Sequence, residues 1–147
     1  MAAKTRHRSR KTRSINEAYL DTSAFIAFLD RSDSYHVIFR SAFAKPPPLV
    51  TSALVIAEAH GWFLRRYDTR RAADFLSFLD ALPAITVVPF DRADLGKQRA
   101  ILSRFSDQNL TLADAHGLVI MGERKIRTCW STDRRLALMG AELIVSM

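Results

Sequence analysis

The stretch AYLDTSAFIAFL, residues 18–29, places an apolar run, a group of capping residues and a second apolar segment in direct succession. Ala18–Leu20 predicts a short β-strand. Asp21-Thr22-Ser23 supplies side chains that commonly begin helices, and AFIAFL predicts the helix that follows. A strand that passes at once into a helix is typical of parallel α/β folds.

Comparable units are predicted along the rest of the chain. The further strands are expected at 49–51, 84–89, 125–130 and 143–145, and the further helices at 36–44, from Ser52 to Arg66, from Thr69 to Ala81, at 92–105, from Thr111, and from Asp133 to Gly140. Pro46-Pro47-Pro48 form a rigid break between two units. This order predicts one α/β domain, residues 17–147, built as a three-layer α/β/α sandwich around a mostly parallel sheet.

The composition indicates a soluble globular protein. The chain has 147 residues, of which 48% are hydrophobic and 25% charged. No apolar run approaches the roughly 20 residues that cross a bilayer. The single cysteine, Cys129, excludes an internal disulfide and a cysteine-rich zinc site. These features, with no apolar secretory signal at the N-terminus, predict a cytoplasmic protein.

The net charge of +7 comes mainly from the first sixteen residues. That segment contains six of the 22 basic residues and no acid, which leaves 16 basic residues against 15 acids in the remainder. Residues 1–16 are therefore predicted to be a basic, disordered leader. A flexible basic arm can bind nucleic acid phosphates, but a solubilising leader, a misassigned start or a transit peptide would have the same composition.

Four acids lie near the predicted carboxyl ends of strands, where ligands bind in open parallel sheets. Asp21 and Asp133 directly follow strands, Asp114 lies in the first turn of the helix opened by Thr111, and Glu58 lies two turns into its helix. Three of them also have a purely structural explanation. Asp21 and Asp133 are good helix caps, and Thr111 with Asp114 resembles a capping box.

Glu58 has no such explanation, because no helix begins near it. Its neighbours at helical spacing are apolar, and a lone carboxylate facing a core requires a metal or a charged partner such as Arg65, unless it reaches water at an edge. Gly61 and Gly117 each follow an acid by three residues, although glycine weakens a helix. They would clear space around the carboxylates, or else allow close packing of elements.

Four oxygen donors without cysteine suit Mg²⁺ or Mn²⁺, and phosphodiester hydrolysis is the natural chemistry of such a site. Ser23 and Thr132 are candidates to orient a carboxylate or water, and Arg134 and Arg135 to bind substrate phosphate. His60 and His116 are two residues from their acids, which on a helix points them away, so packing or a polar contact is expected. No nucleotide-binding glycine loop or G-x-S-x-G motif is present.

Four motifs in order resemble the PIN domain family, and most closely its VapC-type ribonuclease toxins. They are DTSAFIAFLD (21–30), SALVIAEAHG (52–61), LTLADAHGLVIM (110–121) and STDRRLALMGAELI (131–144). The basic leader departs from the family pattern, and Leu136 stands where an aromatic residue is frequent. The resemblance implies metal-binding acids at Asp21, Glu58, Asp114 and Asp133.

It further implies RNA cleavage dependent on Mg²⁺ or Mn²⁺, a homodimer, and inhibition by a VapB-type antitoxin. The expected function is therefore that of a ribonuclease toxin in a type II toxin–antitoxin pair. A catalytically silent PIN-like module that binds RNA or protein is the alternative.

Overall fold

The computed structural model describes residues 16–147, so the predicted basic leader lies outside the described residues except for Asn16. The described part contains five strands and six α-helices. They are β1 (Ala18–Leu20), α1 (Thr22–Leu29), α2 (His36–Ala44), β2 (Leu49–Ser52), α3 (Ala53–Arg66), α4 (Thr69–Ala81), β3 (Ile85–Val88), α5 (Leu95–Arg104), α6 (Leu112–Arg124), β4 (Thr128–Trp130) and β5 (Glu142–Leu143).

The strands form one sheet in the order β3-β2-β1-β4-β5, and every pairing in it is parallel. The six helices cover this sheet as the outer layers of an α/β/α sandwich, which confirms the predicted fold class. β1 is fully buried at the centre, as its uninterrupted apolar sequence requires. Its neighbours β2 and β4 end beside it, so the residues that follow these three strands meet at one edge of the sheet.

An aromatic cluster fills the core on the side of α1, α2 and α4. Phe25 packs edge-on against Phe75 at 5.2 Å between ring centroids, and Phe43 packs edge-on against Trp130 of β4 at 5.0 Å. The cluster anchors the helix that follows Asp21 to the strand that precedes Asp133. Leu136 is also buried and serves in packing. No helix in residues 16–147 has the length and apolar character needed to span a membrane.

The ends of several elements differ from the sequence predictions. The cap of α4 is Asp68, which accepts a hydrogen bond from the Arg71 backbone N–H, and not Thr69. β4 begins at Thr128 rather than Lys125, because Lys125 has φ of 55° and ends α6 in the left-handed region. The predicted helix from Asp133 is a short 3-10 turn over Arg134–Ala137, and the last strand is only Glu142–Leu143.

Candidate active site

One cavity of about 380 Å³ opens where β1, β2 and β4 end. All four acids predicted from the sequence line it, which brings together Asp21, Glu58, Asp114 and Asp133. Each acid comes from a different element or connection, so the cavity exists only in the folded chain. The acids differ widely in burial, in hydrogen bonding and in charge compensation.

Asp21 is buried in the floor of the cavity and does not act as a helix cap. It occupies the N-cap position of α1, but its side chain makes no capping hydrogen bond. Its carboxylate instead accepts hydrogen bonds from the hydroxyls of Ser131 at 2.9 Å and Ser23 at 3.2 Å. Burial raises the pKa of Asp21, the Ser131 hydroxyl opposes this, and the charge of Asp114 raises it further. The capping explanation for Asp21 was therefore wrong.

Asp114 combines capping with a place in the cavity wall. Thr111 and Asp114 form a reciprocal capping box, with the Thr111 N–H donating to Asp114 Oδ2 at 2.9 Å and the Asp114 N–H to Thr111 Oγ1 at 3.1 Å. The structural explanation is thus confirmed at this position. Only one of its carboxylate oxygens takes part, so the capping box does not prevent the carboxylate from facing the cavity.

Asp133 is neutralised by Arg135. It caps the Arg134–Ala137 turn, and the Arg135 guanidinium donates to both of its carboxylate oxygens, with Nη2 at 2.7 Å from Oδ2. These hydrogen bonds lower the pKa of Asp133. Arg135 Nη1 also donates to the carbonyl oxygens of Gln108 and Asn109, and Nη2 lies 3.8 Å from Asp114 Oδ2. The guanidinium therefore holds together both acids and the loop before α6.

Glu58 is exposed to the solvent of the cavity, and the expectation that it faces the core was wrong. Helix α3 places Glu58 at an edge where the carboxylate reaches water. This was the alternative to a buried carboxylate with a metal or charged partner. Partial burial raises the pKa of Glu58, and the charge of Asp21 raises it further. Within residues 16–147 it forms no ion pair with Arg65 or any other cation.

Hydroxyl groups link the two strands that carry Asp21 and Asp133. Ser23, predicted as a supporting residue, accepts a hydrogen bond from the Thr132 N–H at 3.0 Å, and its Oγ lies 3.2 Å from that of Ser131. Thr132 therefore contributes through its backbone rather than its hydroxyl. Ser131 was missed, although its position between β4 and Asp133 could have indicated it. It donates to Asp21 and accepts from the Asp133 N–H, which fixes the distance between the two acids.

Gly117 and His116 of α6 serve packing, and Gly61 of α3 is less restricted. A Cβ on Gly117 would lie 2.8 Å from the Tyr19 hydroxyl, and one on Gly61 would meet only the Arg65 guanidinium at 3.0 Å. Neither glycine clears space beside a carboxylate, so that interpretation was wrong. His116 is buried and forms a 2.6 Å hydrogen bond with Ser52. This is the polar contact away from the acids that was expected from the sequence for this histidine. Burial lowers the pKa of its imidazole.

The donor set of the cavity fits a hard divalent cation. All four acids offer oxygen, and the pKa of Asp21 is raised mainly by burial, with a smaller contribution from the charge of Asp114. No group of three or more acid, histidine or cysteine side chains in residues 16–147 is already drawn together at ligand distances. Asp133 and Asp114 share the charge of Arg135 instead. Asp21, Asp114 and Asp133 are nevertheless the residues that could hold a cation, with Glu58 beside them.

Solved structures with the same fold include bacterial toxins. The VapC20 toxin of Mycobacterium tuberculosis, described as cleaving the sarcin–ricin loop, superposes with a TM-score of 0.77 at 20% identity, over 85% of this chain and 96% of that one. VapBC2 of Rickettsia felis, bound to a promoter DNA fragment, gives a TM-score of 0.59 at 11% identity, covering 86% and 96%. PAE2754 of Pyrobaculum aerophilum gives 0.56 at 19%, covering 88% and 91%.

Sequence comparison assigns the family. No curated protein sequence matches this chain. The family model of the PIN domain matches residues 18–142, which include all four acids of the cavity and every strand but the last residue of β5. This protein is a member of the PIN domain family.

Proposed function

We propose that this protein is a metal-dependent endoribonuclease that hydrolyses RNA phosphodiester bonds. The observation that carries the proposal is the single cavity lined by Asp21, Glu58, Asp114 and Asp133. Acids from separate elements are costly to gather without a counter-charge, and a bound divalent cation would supply one. Family membership and the fold shared with a toxin that cleaves the sarcin–ricin loop support this reading.

In this proposal Asp21, Asp114 and Asp133 hold the cation, Mg²⁺ or Mn²⁺, and Glu58 assists them. A bound cation would supply activation of a water and stabilisation of the charge at phosphorus, so that hydrolysis would break the bond from phosphorus to the 3′ oxygen and leave a 5′-phosphate and a 3′-hydroxyl. Ser23 and Ser131 orient Asp21. Glu58, with its raised pKa and open position, orients the attacking water. Arg134, which is exposed, is the better of the two neighbouring arginines for contacting substrate phosphate, because the donors of Arg135 are engaged.

The biological setting follows from the same comparison. We infer that the protein is the toxin of a type II pair, acts in the cytoplasm as a homodimer, and is inhibited by a VapB-type antitoxin. The fold shared with the Rickettsia felis VapBC2 complex supports the antitoxin as partner. Purification of the tagged protein from its own cells, followed by identification of any small stoichiometric partner, tests this inference.

A catalytically silent PIN-like module is the second candidate. The acid cluster argues against it, because RNA binding alone would be stronger without four carboxylates in the binding cavity. A silent module would bind RNA and leave it intact with either metal. The enzyme is therefore distinguished from the module by cleavage, and not by affinity.

Cleavage of total RNA in Mg²⁺ or Mn²⁺ tests the nuclease directly. Asp21→Asn and Asp114→Asn should each reduce the rate at least roughly 100-fold, because loss of one ligand removes several kcal/mol of transition-state stabilisation. Asp80→Asn, at an exposed aspartate of α4 outside the cavity, is the matched control and should cleave like wild type. Wild-type rates in both cavity variants, or no cleavage by wild type with either metal, would reject the proposal.

A further inference from the structure

The cavity wall formed by α3 extends beyond the acids. Trp62 and Arg65 line the same cavity as Asp21 and Glu58, one and two turns further along the helix. The Trp62 ring lies 6.1 Å from the ring of Tyr67, measured between centroids, at an interplanar angle of 72°. The aromatic surface that begins beside the acids therefore continues past the end of α3.

Tyr67 is covered by arginine. The guanidinium groups of Arg66 and Arg71 lie over its ring at 5.2 Å and 5.3 Å from the centroid. Tyr67 as a residue is still 38% exposed. Guanidinium groups placed over an aromatic ring in this way form a positively charged surface.

Two further cavities, lined by none of the four acids, adjoin Tyr67 and Arg71. Tyr67, Arg71 and Arg31 line a cavity of about 470 Å³. Arg71 and Arg31 also line a neighbouring cavity of about 690 Å³, together with Arg40. We call the continuous surface formed by Trp62, Arg65, Arg66, Tyr67, Arg71 and Arg31 the arginine–aromatic track.

The cations of the track form no close ion pairs with acids of the described residues. Within residues 16–147, none of its four arginines forms an ion pair, whereas Arg124 pairs with Glu17 and Lys97 with Glu123. Asp30 lines the cavity of about 470 Å³ and accepts hydrogen bonds from the backbone and hydroxyl of Ser32, and these bonds, with a smaller contribution from the charge of Arg66, lower its pKa. One carboxylate thus lies beside the four arginines of the track. The track therefore presents positive charge that an anionic ligand can neutralise.

Stabilisation of α3 explains only part of this arrangement. Arg65 and Arg66 lie in the last turn, where cations complement the helix dipole. That role requires positive charge, but it requires neither aromatic neighbours nor a continuous surface. It also leaves Arg71 and Arg31 unexplained, because they belong to the beginning of α4 and the segment after α1.

We propose that the arginine–aromatic track binds the single-stranded RNA that flanks the scissile phosphate. Bases stack on Trp62 and Tyr67, and the phosphates of the flank contact Arg65, Arg66 and Arg71. Alternation of aromatic planes with arginines is the chemistry that single-stranded nucleic acid requires, whereas an acidic polypeptide offers no bases to stack. The proposal rests on the nuclease function and adds the path of the substrate strand.

Binding of a fluorescein-labelled 12-nucleotide oligouridylate, measured by anisotropy in EDTA, tests the track without cleavage. Tyr67→Ala should weaken binding about 10-fold, and Tyr67→Phe should restore wild-type affinity because it keeps the ring. Arg66→Gln with Arg71→Gln should reduce the slope of log affinity against log salt by about 1.4, or about 0.7 for each lost phosphate contact.

Arg104→Gln provides a matched control, because Arg104 also lies over an aromatic ring, Phe105, but lines none of these cavities. This variant should bind like wild type. Wild-type affinity in Tyr67→Ala, or an unchanged salt slope in the double arginine variant, would overturn the proposal. Displacement of the probe by oligoglutamate as effectively as by unlabelled RNA would overturn it too and assign the surface to an acidic polypeptide.

Failure of the track and failure of the nuclease are distinguishable. If Tyr67→Ala binds the probe normally while Asp21→Asn abolishes cleavage, the track is rejected and the nuclease stands. If wild type cleaves no RNA with either metal but probe binding depends on Tyr67 and the arginines, the nuclease is rejected and the track describes an RNA-binding surface.

Discussion

Residues 57–61 and 113–117 read AEAHG and ADAHG, and they differ by a single methylene group. In α6, the acid, the histidine and the glycine are all buried. In α3, only Ala59 is buried, while Glu58 is exposed and His60 and Gly61 are partly exposed. The same five-residue pattern therefore produces a packed helix start in one place and a cavity wall in the other.

The position of each segment in its helix accounts for the difference. Asp114 is the third residue of α6, where a carboxylate satisfies a free backbone N–H of the capping box. Glu58 is the sixth residue of α3, where every backbone N–H already has a helical partner. α6 also packs against β2 through the His116–Ser52 hydrogen bond, and it packs over Tyr19 of β1. A short motif thus acquires its role from the layer it occupies.

The glycines should show the largest difference between the two segments. Gly117→Ala places a methyl 2.8 Å from the Tyr19 hydroxyl in a buried site and should destabilise the protein by about 1–3 kcal/mol. Gly61→Ala meets only the movable end of Arg65 and should gain up to about 1 kcal/mol from helix propensity. The denaturant midpoints of the two variants measure both changes in stability. Gly96→Ala is the control, because its methyl group would meet no atom within 4 Å. Equal midpoints for the two variants would contradict the packing described at Tyr19.

The histidines should differ by a smaller amount. A double-mutant cycle of Ser52→Ala with His116→Ala should give a coupling energy of about 1–2 kcal/mol, since the two side chains share a buried hydrogen bond. The same cycle with His60→Ala in place of His116→Ala should give less than about 0.5 kcal/mol, because no hydrogen bond joins His60 to Ser52 within residues 16–147. The unfolding free energies of wild type, the three single variants and the two double variants supply both coupling energies. A coupling near zero for Ser52 and His116 would show that their contact adds nothing to stability.

The acids should show the smallest difference in stability. Asp114→Ala removes the capping box and should cost about 1 kcal/mol. Glu58→Gln should change the unfolding free energy at pH 7 by less than about 0.5 kcal/mol, because the side chain is exposed. The raised pKa of Glu58 sets the sign of that small change, as the folded protein holds its proton more tightly than the unfolded chain.

The contribution of Glu58 to stability is therefore fully present below its ordinary pKa of 4.5, and it is lost as the pH rises through the raised value. In metal-free buffer, Glu58→Gln should be slightly more stable than wild type at pH 7, and this advantage should disappear near pH 4. Thermal unfolding of both proteins between pH 4 and 7 measures it. A variant less stable than wild type at pH 7 would show that the ionised carboxylate has a favourable partner.

Local chemistry made much of the fold predictable from the sequence. The apolar run of β1, the Ser52 cap of α3 and the Thr111–Asp114 capping box each depend on a few adjacent residues, and all are present in the structure. The strand ends near Lys125 and Val145 were misplaced. β4 is shortened because Lys125 adopts a left-handed conformation that the side chain itself does not require.

The contacts within the site were beyond prediction because they join distant parts of the chain. Arg135 donates hydrogen bonds to Asp133 and to the backbone carbonyls of residues 108 and 109. Its positive charge therefore compensates an acid of the site and is less available to bind substrate phosphate. Ser131 acquires its role only because β4 pairs with β1 and brings its hydroxyl to Asp21. The sequence could propose the acids, but the hydrogen bond of Asp21 with Ser131, which opposes the rise of its pKa, depends on such a long-range contact.

The pairing of β1 with β4 has a consequence for the order of events in a cell. Ser131 is separated from Asp21 by 110 positions, and β4 cannot pair with β1 until that length of chain has been synthesised. At ribosomal rates of about 5–20 residues per second, the interval is roughly 5 to 20 seconds. A nascent or prematurely terminated chain that stops before Trp130 cannot assemble the cavity. The proposed nuclease activity can therefore appear only after synthesis has passed Trp130.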